Sequence, residues 1–207
     1  MSDKIIYSVG HSTLSYERFL TLLRKAGVTA VADVRSAPYS RHFPHFSKDL
    51  LKSELQMDGI AYSFLGKELG GRPSGSQYFC DGVADYESMA KAPEFHEGLR
   101  RVIDGSVKYR IALMCSERDP LDCHRCLLVG RALSERGVVV KHILPDGNAI
   151  DQEGIEQRLL KSNDQQEMDL GNGSRTTLAD AYRARARRVA YTELPESTQP
   201  RTAASRQ

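Results

Sequence analysis

The densest group of chemically active side chains lies between positions 115 and 126. Two thiols, a carboxylate, an imidazole and a guanidinium occur there, at Cys115, Glu117, Cys123, His124 and Arg125. An apolar strand is predicted to end at Cys115, and the next helix is predicted to place Cys123 near its positive end, where a thiol pKa falls. Glu117, at the mouth of the site, can act as nucleophile or general base while a histidine shares the proton. The residues predicted to be catalytic are Glu117, Cys115, His11 and His124.

Two other parts of the chain supply groups that can bind an anion. Ser12 and Thr13 follow the first predicted strand, at the start of a helix, and Arg35 follows the second strand. Backbone amides, hydroxyls and a guanidinium in such positions can hold a phosphate or carboxylate. The alternatives are structural, because the hydroxyls can cap a helix and Arg35 can pair with Asp33. The residues predicted to bind substrate are Gly10, Ser12, Thr13, Asp33, Arg35, Arg41, His45 and Arg125.

The spacing around the cysteines excludes one familiar class of site and disfavours another. A phosphatase or rhodanese loop needs an arginine or similar residue about five positions after the catalytic cysteine, but Pro120 and Leu128 stand there. Zinc could be bound by the group Cys115, Cys123, His124 and Cys126. Adjacent Cys-His donors followed by a helix rarely reach one tetrahedral centre, so no cofactor is predicted and a metal site is kept as an alternative.

Strands and helices alternate along the chain in a way that predicts the fold class. Apolar runs predict strands over 4–9, 28–34, 60–65, 109–114 and 138–144, and helical periodicity predicts helices over 14–26, 47–57, 86–102 and 121–136. This rhythm is typical of a three-layer α/β protein with a mostly parallel five-stranded sheet, helices on both faces and a Rossmann-like organisation. The carboxyl ends of parallel strands share one edge, so the polar segments described above are expected to meet there.

The boundaries of the domain follow from the loss of this pattern after the fifth strand. We expect an α/β domain over residues 1–160, followed over 161–207 by a linker, an arginine-rich basic helix and a disordered tail. Residues 66–82 contain five glycines and one proline and are predicted to be a flexible lid over the site.

Composition excludes several classes of protein. The 207 residues include 29 basic and 27 acidic side chains, a net charge of only +2, so the whole molecule has no electrostatic reason to bind nucleic acid or anionic membranes. No apolar run is long enough for a membrane span, and the first residues are predicted to lead into a strand rather than to form a signal peptide. The four cysteines do not resemble a secreted disulfide framework. A cytoplasmic protein without a membrane partner is therefore expected.

Four motifs in order resemble the family called domain of unknown function 488. They are Ile6 to Thr13 with GHST, Asp33 to Pro38 with DVR, Glu68 to Gly71 with ELGG, and Leu113 to Arg125 with C-x-E and CHR. The resemblance covers residues 4–145. It implies a small cytosolic bacterial α/β protein with a polar site built from these motifs, and it implies no particular reaction.

The sequence leaves three classes of function open. The leading hypothesis is a hydrolase or group transferase acting on a small anionic, nucleotide-like substrate at the carboxyl edge of the sheet, with Glu117 and Cys115 catalytic. One rival is a nucleic-acid or nucleotide-binding module that uses the loop 41–46 and the arginines of 183–188. The other is a thiol or redox protein using Cys115 or Cys123. A homo-oligomer is compatible with each of them.

Overall fold

The computed structural model describes residues 4–169 and 177–193 and is built on a six-stranded sheet. Its strands are β1 (Ile5–Gly10), β2 (Ala30–Asp33), β3 (Ala61–Phe64), β6 (Ile111–Cys115), β7 (Val139–Ile143) and β8 (Ala149–Asp151), in the order β3-β2-β6-β1-β7-β8. Five strands are parallel, and β8 pairs antiparallel with β7 at the edge. The predicted α/β class and the five predicted strands are confirmed. The predicted number of strands was wrong, because the sheet has a sixth strand, β8, which has only three residues and no apolar run.

The sheet separates two apolar layers. Side chains alternate along a strand, so Ile6 packs on one face while Tyr7 and Val9 pack on the other. Phe19 and Leu23 of α1 (Tyr16–Lys25) and Leu51 of α2 (Lys48–Met57) cover the second face. The opposite face is covered by α5 (Pro93–Gly105), by the segment after Cys123, and by the last two helices. Helices therefore lie on both faces of the sheet, as the sequence predicts.

Eight α-helices connect and cover the strands within the described residues. They are α1 (Tyr16–Lys25), α2 (Lys48–Met57), α3 (Gly66–Leu69), α4 (Tyr86–Met89), α5 (Pro93–Gly105), α6 (Arg131–Ser134), α7 (Gln152–Asp169) and α8 (Leu178–Val189). Short 3₁₀ turns occur at Pro44–Phe46, Ser76–Tyr78 and Pro120–Asp122. No described helix is both long enough and apolar enough to cross a bilayer.

Two helix boundaries differ from the sequence prediction for local reasons. Helix α1 begins at Tyr16, and Ser15 accepts the capping hydrogen bond from the Arg18 amide, so Ser12 and Thr13 are not its cap. The helix predicted over 86–102 is divided after Met89, because Pro93 cannot donate to a preceding carbonyl and instead occupies the first turn of α5.

Residues 66–82 contain regular structure. They include α3, the 3₁₀ turn Ser76–Tyr78 and the strand β4 (Phe79–Cys80), which pairs antiparallel with β5 (Val83–Ala84). Thr192, near the end of the described chain, bridges to Val83. The hairpin thus connects the predicted lid to the C-terminal segment.

The C-terminal helices are held on the domain by a chain of buried polar groups. Ser8 on β1 lies 2.7 Å from Nδ1 of His142 on β7, and Nε2 of His142 lies 2.7 Å from Oε1 of Gln152 on α7. The Gln152 amide donates to the Tyr182 hydroxyl on α8 at 2.6 Å. Since Gln152 donates through nitrogen, its oxygen accepts from His142, which leaves Nδ1 to accept from Ser8. Parts of the predicted linker and tail, residues 170–176 and 194–207, lie outside the described residues.

The buried His142 should make stability depend on pH. Burial lowers its pKa from 6.5 to about 4, so the unfolded chain binds the proton more readily than the folded chain. The free energy of unfolding should therefore fall as pH drops from about 6.5 towards 4, by about 3 kcal/mol from this group. Urea unfolding at several pH values should show a shallower pH dependence for His142→Gln than for the wild type; equal slopes would contradict the assignment.

Candidate functional site

The chemical side chains meet at the carboxyl edge of three adjacent strands. Gly10 at the end of β1 is in register with Cys115 at the end of β6, and Asp33 at the end of β2 is in register with Met114. The chain continues from these strand ends as the segments that carry the sequence motifs. The convergence expected from parallel topology is therefore present.

Four donor groups form a compact cluster at this edge, which we call the thiol cluster: Cys115, Glu117, Cys123 and His124. One ligand atom from each lies within 4.8 Å of all the others. The sulfurs of Cys115 and Cys123 lie 3.8 and 3.9 Å from Nδ1 of His124, and the Cys123 sulfur lies 2.9 Å from Oε2 of Glu117. Both cysteines are buried, whereas Glu117 is accessible to solvent.

A change in backbone conformation lets the adjacent Cys123 and His124 reach one centre. Cys123 is extended, with φ −139° and ψ 136°, and His124 is helical, with φ −58° and ψ −26°. The following turn is π-helical over Arg125–Gly130, a geometry often found at functional sites. The donor atoms of the adjacent Cys123 and His124 therefore lie in one cluster, an arrangement that sequence spacing alone did not favour. Cys126 lies elsewhere, with its sulfur 3.8 Å from the Gln152 amide nitrogen.

The ring of His124 is oriented by a backbone carbonyl. Its Nε2 lies 2.9 Å from the carbonyl oxygen of Val34, which can only accept a hydrogen bond. Nε2 therefore carries a proton, and Nδ1 faces the two sulfurs. Gly71 lies against the same ring, where any side chain would overlap it. This is the support that metal-binding histidines usually have.

Arg125 holds the backbone beside the thiol cluster. Its side chain is fully buried, and it donates to the carbonyl oxygens of Glu117 at 2.7 Å and Arg118 at 3.3 Å. Its Nε is the only buried side-chain nitrogen or oxygen without a partner among the described residues. Gly10 lies so close that a side chain there would overlap the Glu117 carbonyl. Arg125 therefore positions Glu117 and places a positive charge beside the thiols.

The charges within the cluster determine which groups ionise. Burial raises the pKa of Cys115, as do its contacts with Cys123 and Glu117. Burial also acts to raise the pKa of Cys123, but the hydrogen bond from Cys115 and the charges of Arg125 and His124 outweigh it, so the net shift is downward. The pKa of Glu117 is raised by burial and then by Cys123. These shifts favour a negative charge on Cys123 over one on Cys115.

Asp33 and Arg35 form a buried ion pair next to the cluster. Nε of Arg35 donates to Oδ1 of Asp33 at 2.9 Å, and NH2 donates to Oδ2 at 2.6 Å. The Tyr62 hydroxyl adds a third hydrogen bond to the carboxylate at 2.7 Å. Arg35 also donates to the carbonyl of Phe46 at 2.8 Å. The geometry matches the structural alternative raised for this pair, although Arg35 also lines the cavity described below.

The remaining predicted site residues lie outside the thiol cluster. His11 stacks on Phe46 at 4.1 Å, donates through Nδ1 to the Ser12 carbonyl and accepts from Arg35 through Nε2. Burial and the charge of Arg35 lower its pKa to about 4, so it is neutral at pH 7. The Ser12 amide donates to the Ser116 carbonyl, and Nε2 of His45 bonds to the Leu14 carbonyl. Thr13 and Arg41 are exposed.

A polar cavity of about 160 Å³ opens next to the thiol cluster. It is lined by three groups of residues: Arg35, Ser36 and Ala37 after β2; Cys115, Ser116, Glu117, Asp122 and His124 after β6; and Gly71, Arg72, Tyr86, Val189 and Tyr191. Several residues of this lining are not among the site residues predicted from the sequence, including Ser36, Arg72, Tyr86 and Tyr191. Arg72 directly follows the ELGG motif, a signal that could have identified it. Tyr191 carries no comparable signal, because only the tertiary fold brings it to the cavity.

Fold and site together define an α/β protein with a polar centre at the carboxyl edge of a mostly parallel sheet. The family model described as "Domain of unknown function DUF488" matches residues 15–132, more than half of the chain, and the protein belongs to this family. The GHST motif precedes the matched range, and the C-terminal helices follow it. No curated protein and no solved structure matches the chain.

The Asp33–Arg35 pair should contribute strongly to stability. Asp33→Asn leaves the Arg35 guanidinium, which is only 4% exposed, without its counter-charge. We expect the free energy of unfolding to fall by about 3 to 5 kcal/mol, measured by urea denaturation. Glu97→Gln, which removes a surface ion pair with Arg100, is the control and should change it by less than about 1 kcal/mol. Equal effects of the two substitutions would refute the structural role of Asp33.

Proposed function

We propose that this protein is a zinc-dependent hydrolase whose metal is bound by Cys115, Cys123 and His124. The observation that carries the proposal is the convergence of their donor atoms with Glu117, within 4.8 Å, beside an open polar cavity. Two thiolates and one imidazole are a donor set typical of catalytic zinc, which keeps one position for water or substrate. The Rossmann-like placement at the carboxyl ends of the strands also suits an enzyme.

The distances in the cluster are close to those that zinc requires. With zinc–sulfur bonds of about 2.3 Å and zinc–nitrogen bonds of about 2.0 Å, tetrahedral geometry separates sulfur from nitrogen by about 3.5 Å. The two sulfurs lie 3.8 and 3.9 Å from Nδ1 of His124. Side-chain shifts of a few tenths of an ångström would bring both separations to the tetrahedral value. The Arg125 backbone amide, 3.4 Å from the Cys123 sulfur, adds a hydrogen bond of the kind that stabilises a thiolate ligand.

Charge balance also supports a divalent cation. Two thiolates and the Glu117 carboxylate carry three negative charges, and the only fixed positive charge against them is Arg125. With His124 neutral, zinc brings the total to zero. The 2.9 Å contact between the Cys123 sulfur and Glu117 is a hydrogen bond, so it requires a proton on one of the two groups. Metal binding would release it, as thiolate sites generally do.

Glu117 is the residue placed to move a proton. Its carboxyl lies beside the cluster yet is accessible to solvent, and Arg125 fixes its backbone. Zinc held by Cys115, Cys123 and His124 would lower the pKa of a bound water and so supply a nucleophile at neutral pH. Glu117 takes a proton from the attacking water as the oxygen bonds to the electrophilic atom of the substrate. It returns that proton to the leaving group as the scissile bond breaks, so Glu117 is regenerated.

The metal site predicts a specific pattern of zinc contents. We expect about one zinc ion per chain in protein purified without chelator, and loss of most of it in Cys123→Ser. Cys126→Ser is a matched control, because Cys126 is also a buried cysteine, three residues away, and lies outside the cluster. Elemental analysis of the three proteins tests this. Equal zinc in Cys123→Ser and Cys126→Ser, or none in the wild type, would contradict the proposed site.

The role of Glu117 is tested separately from metal binding. Glu117→Gln keeps all three proposed zinc ligands, so zinc content and melting temperature should be unchanged. Hydrolysis of a panel of chromogenic esters and phosphate esters should fall by about 10² to 10⁴, the usual contribution of a general base. Wild-type rates in this variant would remove Glu117 from the mechanism.

A thiol protein is the second candidate, because Cys115 and Cys123 belong to one cluster and the pKa of Cys123 is lowered. Thiol titration separates the two functions. A zinc-bound pair reacts slowly with a disulfide reagent until a chelator is added, whereas a redox pair reacts at once and protects itself by forming a disulfide. The nucleic-acid alternative is less favoured, since Arg183, Arg185 and Arg187 are paired with aspartates. A cytoplasmic location, with its reducing conditions, suits either thiol site.

A further inference from the structure

Arg72 lines the cavity and makes no ion pair with any described residue. Two other charged groups of the lining are paired, Arg35 with Asp33 and Asp122 with Arg185 from α8. The guanidinium of Arg72 therefore has no carboxylate partner in the described part of the chain and can pair with an anion that enters the cavity.

The guanidinium of Arg72 lies over the ring of Tyr191, 5.1 Å from the centroid. The Arg72 backbone amide donates to the Ser36 hydroxyl at 2.9 Å, which fixes the backbone at this position. Tyr191 is fixed in turn, because its carbonyl accepts from the Ala84 amide at 2.8 Å. Two residues after Tyr191, the Glu193 amide donates to the Gly82 carbonyl at 2.9 Å. The C-terminal segment thus adds to the hairpin β4–β5 and forms one wall of the cavity.

A second, larger cavity of about 710 Å³ adjoins the first and shares Ser36 and Arg72 with it. Its lining includes the apolar side chains Phe64, Tyr78, Met89 and Phe95. The smaller cavity, about 160 Å³, holds the volume of about five water molecules, so it admits only the reacting end of a substrate. Arg72 lies between the two spaces, where it can bind a charged group that joins the reacting end to an apolar body.

We infer that Arg72, supported by Tyr191, is the specificity residue of the site and binds the oxyanion of an organic anion whose apolar body occupies the larger cavity. The ligand chemistry is a carboxylate or a phosphate ester attached to an apolar or aromatic group. The guanidinium offers two parallel N–H donors to either oxyanion. This inference rests on the proposed function for the reaction, but the binding itself requires no turnover.

Binding of small anions tests the inference directly. Isothermal titration of the purified full chain with acetate, benzoate and phenyl phosphate should give tighter binding of benzoate than of acetate, because the ring enters the larger cavity. Arg72→Ala should weaken benzoate or phenyl phosphate binding about tenfold or more. Arg188→Ala is the matched control, since it removes the same charge from an exposed position on α8 outside both cavities. The tighter of the two aromatic ligands identifies the oxyanion.

Further variants and a zinc measurement distinguish failure of the anion site from failure of the proposed hydrolase. Tyr191→Phe keeps the ring and should bind like the wild type, while Tyr191→Ala should bind more weakly. Unchanged binding in Arg72→Ala, an equal loss in Arg188→Ala, or equal affinities for acetate and benzoate would overturn the inference. Zinc is measured on the same samples. If the protein contains no zinc but still requires Arg72 to bind benzoate, the result contradicts the proposed zinc-dependent hydrolase and supports the anion site.

Discussion

The buried charge of Arg125 is the constraint around which the site is arranged. A guanidinium with no solvent contact must be compensated by nearby acceptors and negative charge. The Glu117 and Arg118 carbonyls supply acceptors, and the Cys123 thiolate supplies the charge. The same contacts fix the loop after β6, so they bring the Glu117 carboxyl to the Cys123 sulfur. The contacts that compensate the charge of Arg125 therefore also hold the thiol cluster together.

The glycines of the motifs have a common physical role around this centre. Gly10 allows β1 to approach the Glu117 carbonyl, Gly71 allows its own loop to lie on the His124 ring, and Gly70 allows close contact with Ser36 after β2. In each case a side chain would push apart two segments that the centre needs together. The motifs that resemble the DUF488 family thus specify close backbone approach around a cluster of charged and thiol side chains, in addition to supplying those side chains.

The sequence was sufficient for the five parallel strands and for the edge at which the chemical side chains meet, and insufficient for the geometry of the candidate site. Apolar runs and glycine stops predicted all five parallel strands, and parallel topology then required Gly10, Asp33 and Cys115 to end at one edge. The edge strand β8 is too short to give a pattern. The convergence of Cys123 with His124 depends on an extended residue before a helical one, which spacing does not encode. The contacts of Tyr191 with Arg72, and of Ser8 with His142, join distant positions and depend on tertiary packing alone.

The central claim is that two cysteine sulfurs and one histidine nitrogen of this cluster bind a single metal ion. The most direct measurement is an X-ray absorption spectrum at the zinc edge of the purified protein. The account predicts a first shell with two sulfurs at about 2.3 Å and nitrogen or oxygen at about 2.0 to 2.2 Å. A first shell without sulfur, or a protein that contains no zinc after expression in zinc-supplemented medium, would contradict it.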